Sequence, residues 1–213
     1  MTAPVRIRTA RIGDVDAMLE LINAYAKEDR MLERDRDFLL EHLRDFDVAE
    51  RAGEFLGCCA LAVLTKDLAE IRSLAVVPSA GGKGVGRALV AACVGEARRL
   101  GLRRVFALTL VSAFFERCGF ALTSLGRLPE KSAAECPVCP KRFACDEHAM
   151  ILHLDGSVPV PLTPGEPVGY TRLFLGDHPF RSAPPRGEAL PRSGPSHTAR
   201  SERGPSPGRE PSR

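Results

Sequence analysis

The sequence contains no hydrophobic run long enough to cross a membrane. Its longest apolar stretch, residues 56–64, falls well short of the roughly 20 residues that a membrane-spanning helix requires, so it is interpreted as a core strand. No apolar leader follows a basic amino terminus, and no internal repeat is visible. The seven cysteines, an odd number, do not form the pattern of a secreted disulfide framework. These absences favour a cytoplasmic protein that does not contact a membrane.

The excess of positive charge lies entirely in the carboxyl-terminal part of the chain. Residues 1–155 carry 22 Lys and Arg and 22 Asp and Glu, whereas residues 156–213 carry eight Arg, five acidic residues and 12 of the 17 prolines. A segment with so many prolines and so few apolar residues cannot offset its ordering entropy by burial. We therefore predict one folded domain over 1–155 and a disordered Pro/Arg-rich tail over 156–213. We expect the tail to be solvated rather than to bind nucleic acid.

The most informative segment predicts a buried strand, a glycine-rich loop and a helix, in that order. The strand occupies residues 70–77, and the glycines of the loop lie between residues 81 and 86. Glycines allow the backbone to approach an anion closely, and the free N–H groups and dipole of the following helix favour a phosphate. The segment therefore predicts a diphosphate-binding loop.

Two common phosphate-binding motifs do not match this loop. A Walker loop needs a Ser or Thr after its lysine, but Lys83 is followed by Gly84, which has no hydroxyl for magnesium. A dinucleotide-binding loop needs Gly-x-Gly-x-x-Gly, and the chain offers Gly82-x-Gly84-x-Gly86 instead. Neither an NTPase nor a dinucleotide-dependent enzyme is therefore indicated.

The loop resembles the acetyl-CoA loop of the GNAT N-acetyltransferases, usually Arg/Gln-x-x-Gly-x-Gly/Ala after an apolar strand. Gly81, Gly84 and Gly86 take its three fixed positions, with Gly81 where the family usually has Arg or Gln. The resemblance extends over roughly residues 4–154 and implies acetyl-CoA as the co-substrate. The residues expected to bind it are Leu74, Ala75, Val76, Gly81, Gly82, Lys83, Gly84, Val85, Gly86 and Arg87.

The resemblance also implies the GNAT fold, a mixed α/β architecture with a central, mostly antiparallel twisted sheet flanked by helices. Hydrophobic periodicity supports it, because strands and helices are predicted in the order β-α-α-β-β-β-α-β-α-β. The strands lie at 5–9, 47–51, 54–65, 70–77 and 105–109 and before residue 154, and the helices at 15–26, 38–46, 87–100 and 112–118.

A second GNAT segment follows the fifth predicted strand. Gly119 and Phe120 match its closing Gly-Phe, whereas Leu108, Val111 and Phe115 stand where the family has asparagine, alanine and tyrosine. The family's tyrosine gives a proton to the departing CoA thiolate, and Phe115 has no phenol to donate. Since a thiol has a pKa of about 8.5, the thiolate leaves without assistance at some loss of rate.

The strand before the loop carries the candidate catalytic residue. Glu70 lies at the position of the glutamate base in those GNAT enzymes that have one, so the resemblance implies that Glu70 takes a proton from the acceptor ammonium, through water. Alternation along the strand predicts that Glu70, Arg72 and Leu74 share one face. A guanidinium among apolar neighbours requires an anion, so Arg72 is predicted to bind a substrate carboxylate or to pair with Glu70 itself.

Several further segments resemble the short bacterial N-acetylglutamate synthases, a narrower family of amino-acid N-acetyltransferases. They are residues 32–34, 44–46, 70–76, 105–109, 114–116, 128–131, 136–141 and 145–147. That family acetylates the α-amino group of L-glutamate in the first step of arginine biosynthesis. Arg34 and Arg72 would bind the two carboxylates of glutamate, assisted by Ser73. Without the resemblance, a solvated loop charge is the favoured interpretation of Arg34.

Other functions stay open at this stage. The acceptor could be another amino acid, a protein amino terminus or a small-molecule amine, and a non-catalytic acetyl-CoA-binding module is the alternative outside enzymes. The expected partner is a small molecule rather than nucleic acid, and a homodimer is compatible with the sequence.

Four residues of the predicted insertion at 132–148 have the spacing of a small zinc site. They form Cys136-x2-Cys139-x5-Cys145-x2-His148, which could supply a structural zinc with four ligands. The alternative is a turn with reduced thiols, shaped by Pro137 and Pro140. The absence of interleaved aromatic residues argues against a nucleic-acid-binding zinc knuckle.

Overall fold

The computed structural model describes residues 3–168 of the chain. A seven-stranded mixed sheet runs through these residues. Its strands are β1 (Arg6–Thr9), β2 (Phe46–Arg51), β3 (Glu54–Val63), β4 (Leu68–Val76), β5 (Arg104–Thr109), β6 (Ala121–Thr123) and β7 (His148–His153). The strand order is β1-β2-β3-β4-β5-β7-β6, and every neighbouring pair is antiparallel except β4 and β5, which are parallel. The mixed α/β fold with a mostly antiparallel sheet is confirmed.

Helices pack on both faces of the sheet because alternate residues of its central strand point in opposite directions. The helices are α1 (Val15–Lys27), α2 (Arg36–Glu41), α3 (Val85–Arg99), α4 (Ser112–Glu116) and α5 (Pro129–Ser132). Cys58 and Ala60 of β3 share a buried cluster with α1 and α2, whereas Cys59 and Leu61 share one with α3. Among residues 3–168, no helix is both long enough and apolar enough to cross a membrane.

Helix α2 is shorter than the sequence predicted. The carboxylate of Asp35 accepts a hydrogen bond from the Phe38 N–H at 2.7 Å and caps the helix, which ends at Glu41. Phe46, expected at the end of the helix, instead begins β2 and is almost fully buried. The prediction of a helix over 38–46 is therefore wrong after residue 41, because the apolar spacing of this stretch also suits a helix followed by a turn and a strand. The short elements β6 and α5 were not predicted either.

Strands β4 and β5 separate halfway along their length. They pair only from Leu68 with Arg104 to Ile71 with Ala107, although β4 continues to Val76 and β5 to Thr109. Beyond Ile71 the two strands no longer share hydrogen bonds. The sheet therefore opens at this point, and a cavity lies in the opening.

An irregularity in β4 changes which side chains share a face. The register against β3 shifts after Arg72, and Ser73 has a φ of 53°, so β4 contains a bulge. As a result Leu74 packs with the α3 cluster and Ala75 with the α1 cluster. The prediction that Glu70, Arg72 and Leu74 share one face is therefore wrong for Leu74, because the bulge inserts a residue into the alternation.

Gly57 allows β3 to lie close to the bulged part of β4. A Cβ at this position would come within 2.4 Å of the Ala75 carbonyl oxygen and 3.0 Å of the Val76 Cα, both backbone atoms that cannot move aside cheaply. We expect Gly57→Ala to lower the free energy of unfolding by about 1–3 kcal/mol, as overpacking does. Denaturant unfolding checks this expectation. Gly95→Ala in α3 is the control, because its Cβ would meet only Arg99 Nη1 at 3.6 Å; equal stability of the two variants would contradict the prediction.

The first part of the predicted tail is attached to the domain. Within residues 156–168, the Arg127 guanidinium donates to the Val160 carbonyl at 2.7 Å and pairs with the Glu166 carboxylate, with Nε 2.6 Å from Oε1. The Ser124 hydroxyl donates to the Pro167 carbonyl at 2.7 Å. This proline-rich stretch is thus held by side chains of the domain, and the rest of the predicted tail, residues 169–213, lies outside the described residues.

Candidate active site

The separation of β4 and β5 opens a cavity of about 1060 Å³. Its walls are β4 from Glu70 onwards, the glycine loop, the end of β5 with α4, the segment between α1 and α2, and α5 with the segment that follows it. This volume is at the upper end for small-molecule sites, so an extended ligand can be accommodated. One end of the cavity is formed by the glycine loop and the other by a cluster of charged side chains.

The glycine loop has the conformation that an anion site requires. Gly82 and Gly84 have φ values of 69° and 83°, in the left-handed region that favours glycine. Gly84 is the N-cap of α3, no side chain caps this helix, and its first turn carries no acidic residue. The N–H groups at the start of α3 therefore have no side-chain acceptor and suit a phosphate.

The other predicted loop residues differ in what they contribute. Val85 is almost fully buried and anchors the loop in the core. A Cβ on Gly86 would come 3.4 Å from the Phe114 ring, so the start of α3 packs closely on α4. Lys83 and Arg87 are exposed, and the Lys83 ammonium donates to the Ser79 carbonyl at 2.8 Å. Except for Lys83, the predicted residues from 81 to 87 line the cavity; their contact with acetyl-CoA stays a prediction.

Residues 74–76 border the cavity after the bulge. Ala75 is buried on the α1 side, and Leu74 and Val76 are half-buried on the α3 side. The Tyr25 hydroxyl donates to the Val76 carbonyl at 2.7 Å and holds the end of β4 to α1. Since their side chains pack in the core, these residues would act on a ligand mainly through the backbone.

The opposite end of the cavity contains a buried ion cluster around Glu70. The Glu70 side chain is 5% exposed, and its Oε2 accepts a hydrogen bond from the Lys131 ammonium at 2.8 Å. The same ammonium lies 2.7 Å from Oε2 of Glu135. Glu147 also lines this end. Glu70 is thus a buried carboxylate facing the cavity, with a cation from α5 beside it.

Burial and neighbouring charges change the pKa values in this cluster. Burial raises the pKa of Glu70, and the positive charges of Lys131 and Arg72 limit the rise. For Lys131, burial alone would lower the pKa of the ammonium, but the carboxylates of Glu70 and Glu135 outweigh burial and raise it. Burial, and then the charge of Glu70, raise the pKa of Glu147. Lys131 is therefore charged at neutral pH, whereas Glu70 is a stronger base than an exposed carboxylate.

Two arginines lie beside this cluster, and their donors are poorly satisfied. The Arg72 Nη1 is 4.0 Å from the Glu70 carboxylate and 3.9 Å from that of Glu135, beyond hydrogen-bonding distance. The Arg34 Nε is buried without a hydrogen-bond partner. Burial, and then the like charge of Arg72, lower the pKa of Arg34. The two guanidinium groups form an anion-attracting pair.

An aromatic ring supports the arginine pair. The Cζ atoms of Arg34 and Arg72 lie 4.4 Å and 5.6 Å from the centre of the Phe38 ring, within the range of a cation–π contact. The backbone of Arg34 is held by Asn23, whose side chain donates to the Arg34 carbonyl at 2.8 Å and accepts from its N–H at 3.0 Å. Ser73, the third predicted acceptor residue, is the residue of the bulge and also lines the cavity.

Phe115 takes no part in proton transfer. It is 4% exposed and packs edge-on against Phe114 and Phe120, with ring centres 5.2 Å and 5.3 Å away. Cys118 is half-buried nearby, and burial raises the pKa of its thiol. Phe115 therefore shapes the wall of the cavity as an apolar ring.

The predicted zinc site is not formed. Among residues 3–168, no group of three or more Cys, His, Asp or Glu side chains is arranged to hold a metal ion. Cys136 is buried in a hydrophobic cluster with Leu128, and burial raises the pKa of its thiol to about 12. His148 is exposed at the start of β7. The zinc prediction is replaced by the alternative of reduced thiols in a turn, and Cys136, Cys139 and Cys145 line the cavity.

Sequence reasoning did not assign a role to four residues of the charged end. They are Phe38, Lys131, Glu135 and Glu147, all of which line the cavity. The i, i+4 spacing of Lys131 and Glu135 was a usable signal, since such a pair meets on one face of a helical turn. Their approach to Glu70 could not be read from spacing, because it depends on how the segment after β6 folds back over β4.

Comparisons with known proteins agree with this architecture. A family model described as the acetyltransferase (GNAT) family matches residues 15–120. An uncharacterized N-acetyltransferase of Chlorobaculum tepidum is 44% identical over 145 residues, which cover 68% of this chain and 94% of the relative. An amino-acid acetyltransferase of Mycobacterium tuberculosis is 44% identical over 117 residues, which cover 54% of this chain and 67% of the relative.

Two solved structures of similar fold contain CoA. A Mycobacterium tuberculosis protein in complex with CoA aligns with a TM-score of 0.62 and 34% identity, covering 70% of this chain and 99% of that one. N-acetylglutamate synthase from Neisseria gonorrhoeae, complexed with coenzyme A and N-acetyl-glutamate, aligns with a TM-score of 0.64 and 30% identity, covering 72% of this chain and 36% of that one. The chain therefore belongs to the GNAT family of acetyltransferases, and it is an acyltransferase that uses acetyl-CoA.

Proposed function

We propose that this protein transfers the acetyl group of acetyl-CoA to the α-amino group of L-glutamate. The observation that carries the proposal is the pair of arginines at the charged end of the cavity. Arg34 Nε is buried without a partner, and Arg72 lies beyond hydrogen-bonding distance of both nearby carboxylates. A buried donor such as Arg34 Nε is costly to leave unpaired, and a dicarboxylic amino acid would supply one carboxylate to Arg34 and one to Arg72. The relatives named amino-acid acetyltransferase add support.

In this proposal the two ends of the cavity hold the two substrates. The diphosphate of acetyl-CoA lies against the N–H groups of residues 81–87 at the start of α3, and its pantetheine arm extends along residues 74–76 of β4. The glutamate carboxylates bind Arg34 and Arg72, assisted by Ser73. The α-amino group is thereby brought between Glu70 and the thioester, and this positioning raises the rate of attack.

The reaction we propose is a direct transfer. Glu70 accepts a proton from the acceptor ammonium, through water, and the neutral amine attacks the thioester carbonyl. A backbone N–H near Val76 meets the developing oxyanion. The C–S bond then breaks and CoA leaves as the thiolate, which takes the second proton of the attacking amine, so the products are the N-acetyl amino acid and CoA. No covalent enzyme intermediate forms.

An acceptor with a single carboxylate, such as L-glutamine, is the second candidate. The observation that favours it is the position of Glu135, whose carboxylate lies 3.9 Å from Arg72 and already offsets part of its charge. With Arg72 partly neutralised, Arg34 alone would bind the α-carboxylate, and the far end of the acceptor would be uncharged.

The proposal is tested by measuring CoA release from the purified protein with acetyl-CoA and a panel of amines. L-glutamate, L-glutamine, L-aspartate and a short peptide are compared at equal concentrations. The expected result is the highest kcat/KM with L-glutamate. Preference for L-glutamine would establish the second candidate, and turnover only with the peptide would exclude an amino-acid acceptor. Tight binding of acetyl-CoA without turnover would indicate a binding module.

A further inference from the structure

The ammonium of Lys131 is buried against the candidate base. The residue is 8% exposed, and its Nζ lies 2.8 Å from Oε2 of Glu70 and 2.7 Å from Oε2 of Glu135. Lysine is rarely buried to this degree unless it is paired, because its long side chain normally reaches water. The burial of Lys131 therefore needs a local explanation.

The backbone around Lys131 fixes where its ammonium lies. Helix α5 follows Leu128, which is fully buried, and begins with Pro129 at its first position. The Lys131 N–H donates to the Leu128 carbonyl at 3.0 Å. Glu130 pairs with Arg104 of β5 at 3.2 Å and ties the helix to the sheet. Lys131 is thus held by a packed segment attached to the strand next to β4.

The charged groups that face Glu70 come from five segments. They are Arg34 before α2, Arg72 of β4, Lys131 of α5, Glu135 in the following turn and Glu147 before β7. Of these, Arg72 is 4.0 Å away, whereas Lys131 makes a hydrogen bond to Oε2. Within the described part of the chain, no side chain donates to Oε1, the other oxygen of Glu70.

We propose that Lys131 is a positioning residue that holds Glu70 anionic and oriented, with Oε1 turned towards the acceptor amine. The proposal rests on the role of Glu70 as the base, but it applies to whichever amine is the acceptor. Glu135 opposes the effect of Lys131 on Glu70, because it contacts the same ammonium and brings a negative charge close to Glu70. Lys131 itself touches neither substrate.

The physical consequence concerns the acid limb of the pH–rate profile. Burial already raises the pKa of Glu70, and the ammonium of Lys131 opposes that rise. Without the ammonium, Glu70 would keep its proton to a higher pH and could not accept one from the amine. Removing Glu135 would act in the opposite direction, since its negative charge contributes to the rise.

The test compares pH profiles of kcat/KM for four variants, using the best acceptor of the panel. We expect Lys131→Met to move the acid limb up by about 1–3 pH units, the usual effect of a close opposite charge, with recovery of rate above the new limb. Lys131→Arg should keep the limb near its original position, and Glu135→Gln should move it down. Lys66→Met is the matched control, because it removes an ammonium that is 90% exposed beside Asp67 and leaves the charges beside Glu70 unchanged. We expect no shift for it.

A direct titration separates this inference from the proposed function. The Glu70 carboxyl is followed by ¹³C NMR of protein labelled in the glutamate side chains and is identified by its absence in Glu70→Gln, so no acceptor is needed. A shifted Glu70 titration in Lys131→Met supports the inference even if L-glutamate is not acetylated. An unchanged titration in both Lys131→Met and Glu135→Gln overturns it. Circular dichroism shows whether Lys131→Met folds. If it does not, the test uses Glu135→Gln alone: a lower pKa of Glu70 in this variant supports the inference, and an unchanged pKa overturns it.

Discussion

Replacing Glu70 by glutamine is expected to lower kcat/KM for the acceptor by about 100- to 10,000-fold near pH 7, the usual range for loss of a general base. Glutamine has the size of glutamate and can occupy the same buried position, but it cannot accept a proton. The variant would depend on the fraction of amine that is already neutral in solution. Its rate should therefore rise with pH, so the difference from the unmodified protein should shrink in alkaline buffer. CoA release measured across pH checks both expectations.

The control for this experiment is Glu116→Gln, because Glu116 is exposed on α4. It should leave kcat/KM unchanged, and both variants should bind acetyl-CoA with unchanged affinity in calorimetry, since Glu70 lies at the opposite end of the cavity from the glycine loop. Full activity of Glu70→Gln at pH 7 would show that the proton leaves the amine without this carboxylate, and the assignment of Glu70 as the base would be wrong.

Arg72→Ala is expected to raise KM for L-glutamate by roughly 30- to 5,000-fold, which corresponds to about 2–5 kcal/mol for truncating one partner of a buried charge pair. Arg34→Ala should have an effect of similar size, because its Nε is buried without another acceptor. Arg72 also lowers the pKa of Glu70. Its loss should move the acid limb to higher pH, so the KM values are compared on the alkaline plateau, where Glu70 is ionised in both proteins.

Arg36→Ala is the matched control for the arginine pair. Arg36 is exposed and pairs with Asp16 at the surface, so its removal should leave KM for L-glutamate unchanged. Arg72→Ala and Arg34→Ala should also lose less activity with an acceptor that lacks a second carboxylate than with L-glutamate. If all acceptors lose activity equally in Arg72→Ala and Arg34→Ala, the arginines support the fold of the site and do not bind the carboxylates.

The strand and glycine loop were predictable because their determinants are local. An apolar run ending at Pro78, followed by glycines and an amphipathic helix, specifies a strand, a loop and a helix whatever the rest of the chain does. The structure has these three elements in the predicted places, with Gly82 and Gly84 in the left-handed conformation. The arrangement at this end of the cavity thus followed from neighbouring residues alone.

The arrangement at the other end depends on contacts between segments that are distant in sequence. Simple alternation along β4 would place Leu74 on the face of Glu70, and the bulge at Ser73 turns it to the α3 side. From sequence, the partner of Arg72 could be either a substrate carboxylate or Glu70. In the structure, Arg72 Nη1 lies 4.0 Å from the Glu70 carboxylate and 3.9 Å from the Glu135 carboxylate and makes no hydrogen bond to either. Neither the bulge nor these distances can be obtained from periodicity.

The cysteine-rich segment shows why spacing can mislead. Cys136, Cys139, Cys145 and His148 have the spacing of zinc ligands, but spacing does not specify which way each side chain points. Burial of Cys136 with Leu128 and the exposed position of His148 keep the four from converging. Instead, Glu135 near the start of this segment contacts Lys131 of α5, which contacts Glu70.

The sequence by itself determined the family, the order of the main strands and helices, and the strand and glycine loop at one end of the cavity, because each follows from short-range periodicity and glycine spacing. The tertiary structure decided the chemistry of the charged end. Folding of α5 over β4 buries the Lys131 ammonium against Glu70, and the loop before α2 brings Arg34 beside Arg72. Buried charges influence one another through space over a few ångströms, so their protonation and orientation depend on which segments meet rather than on their order in the chain.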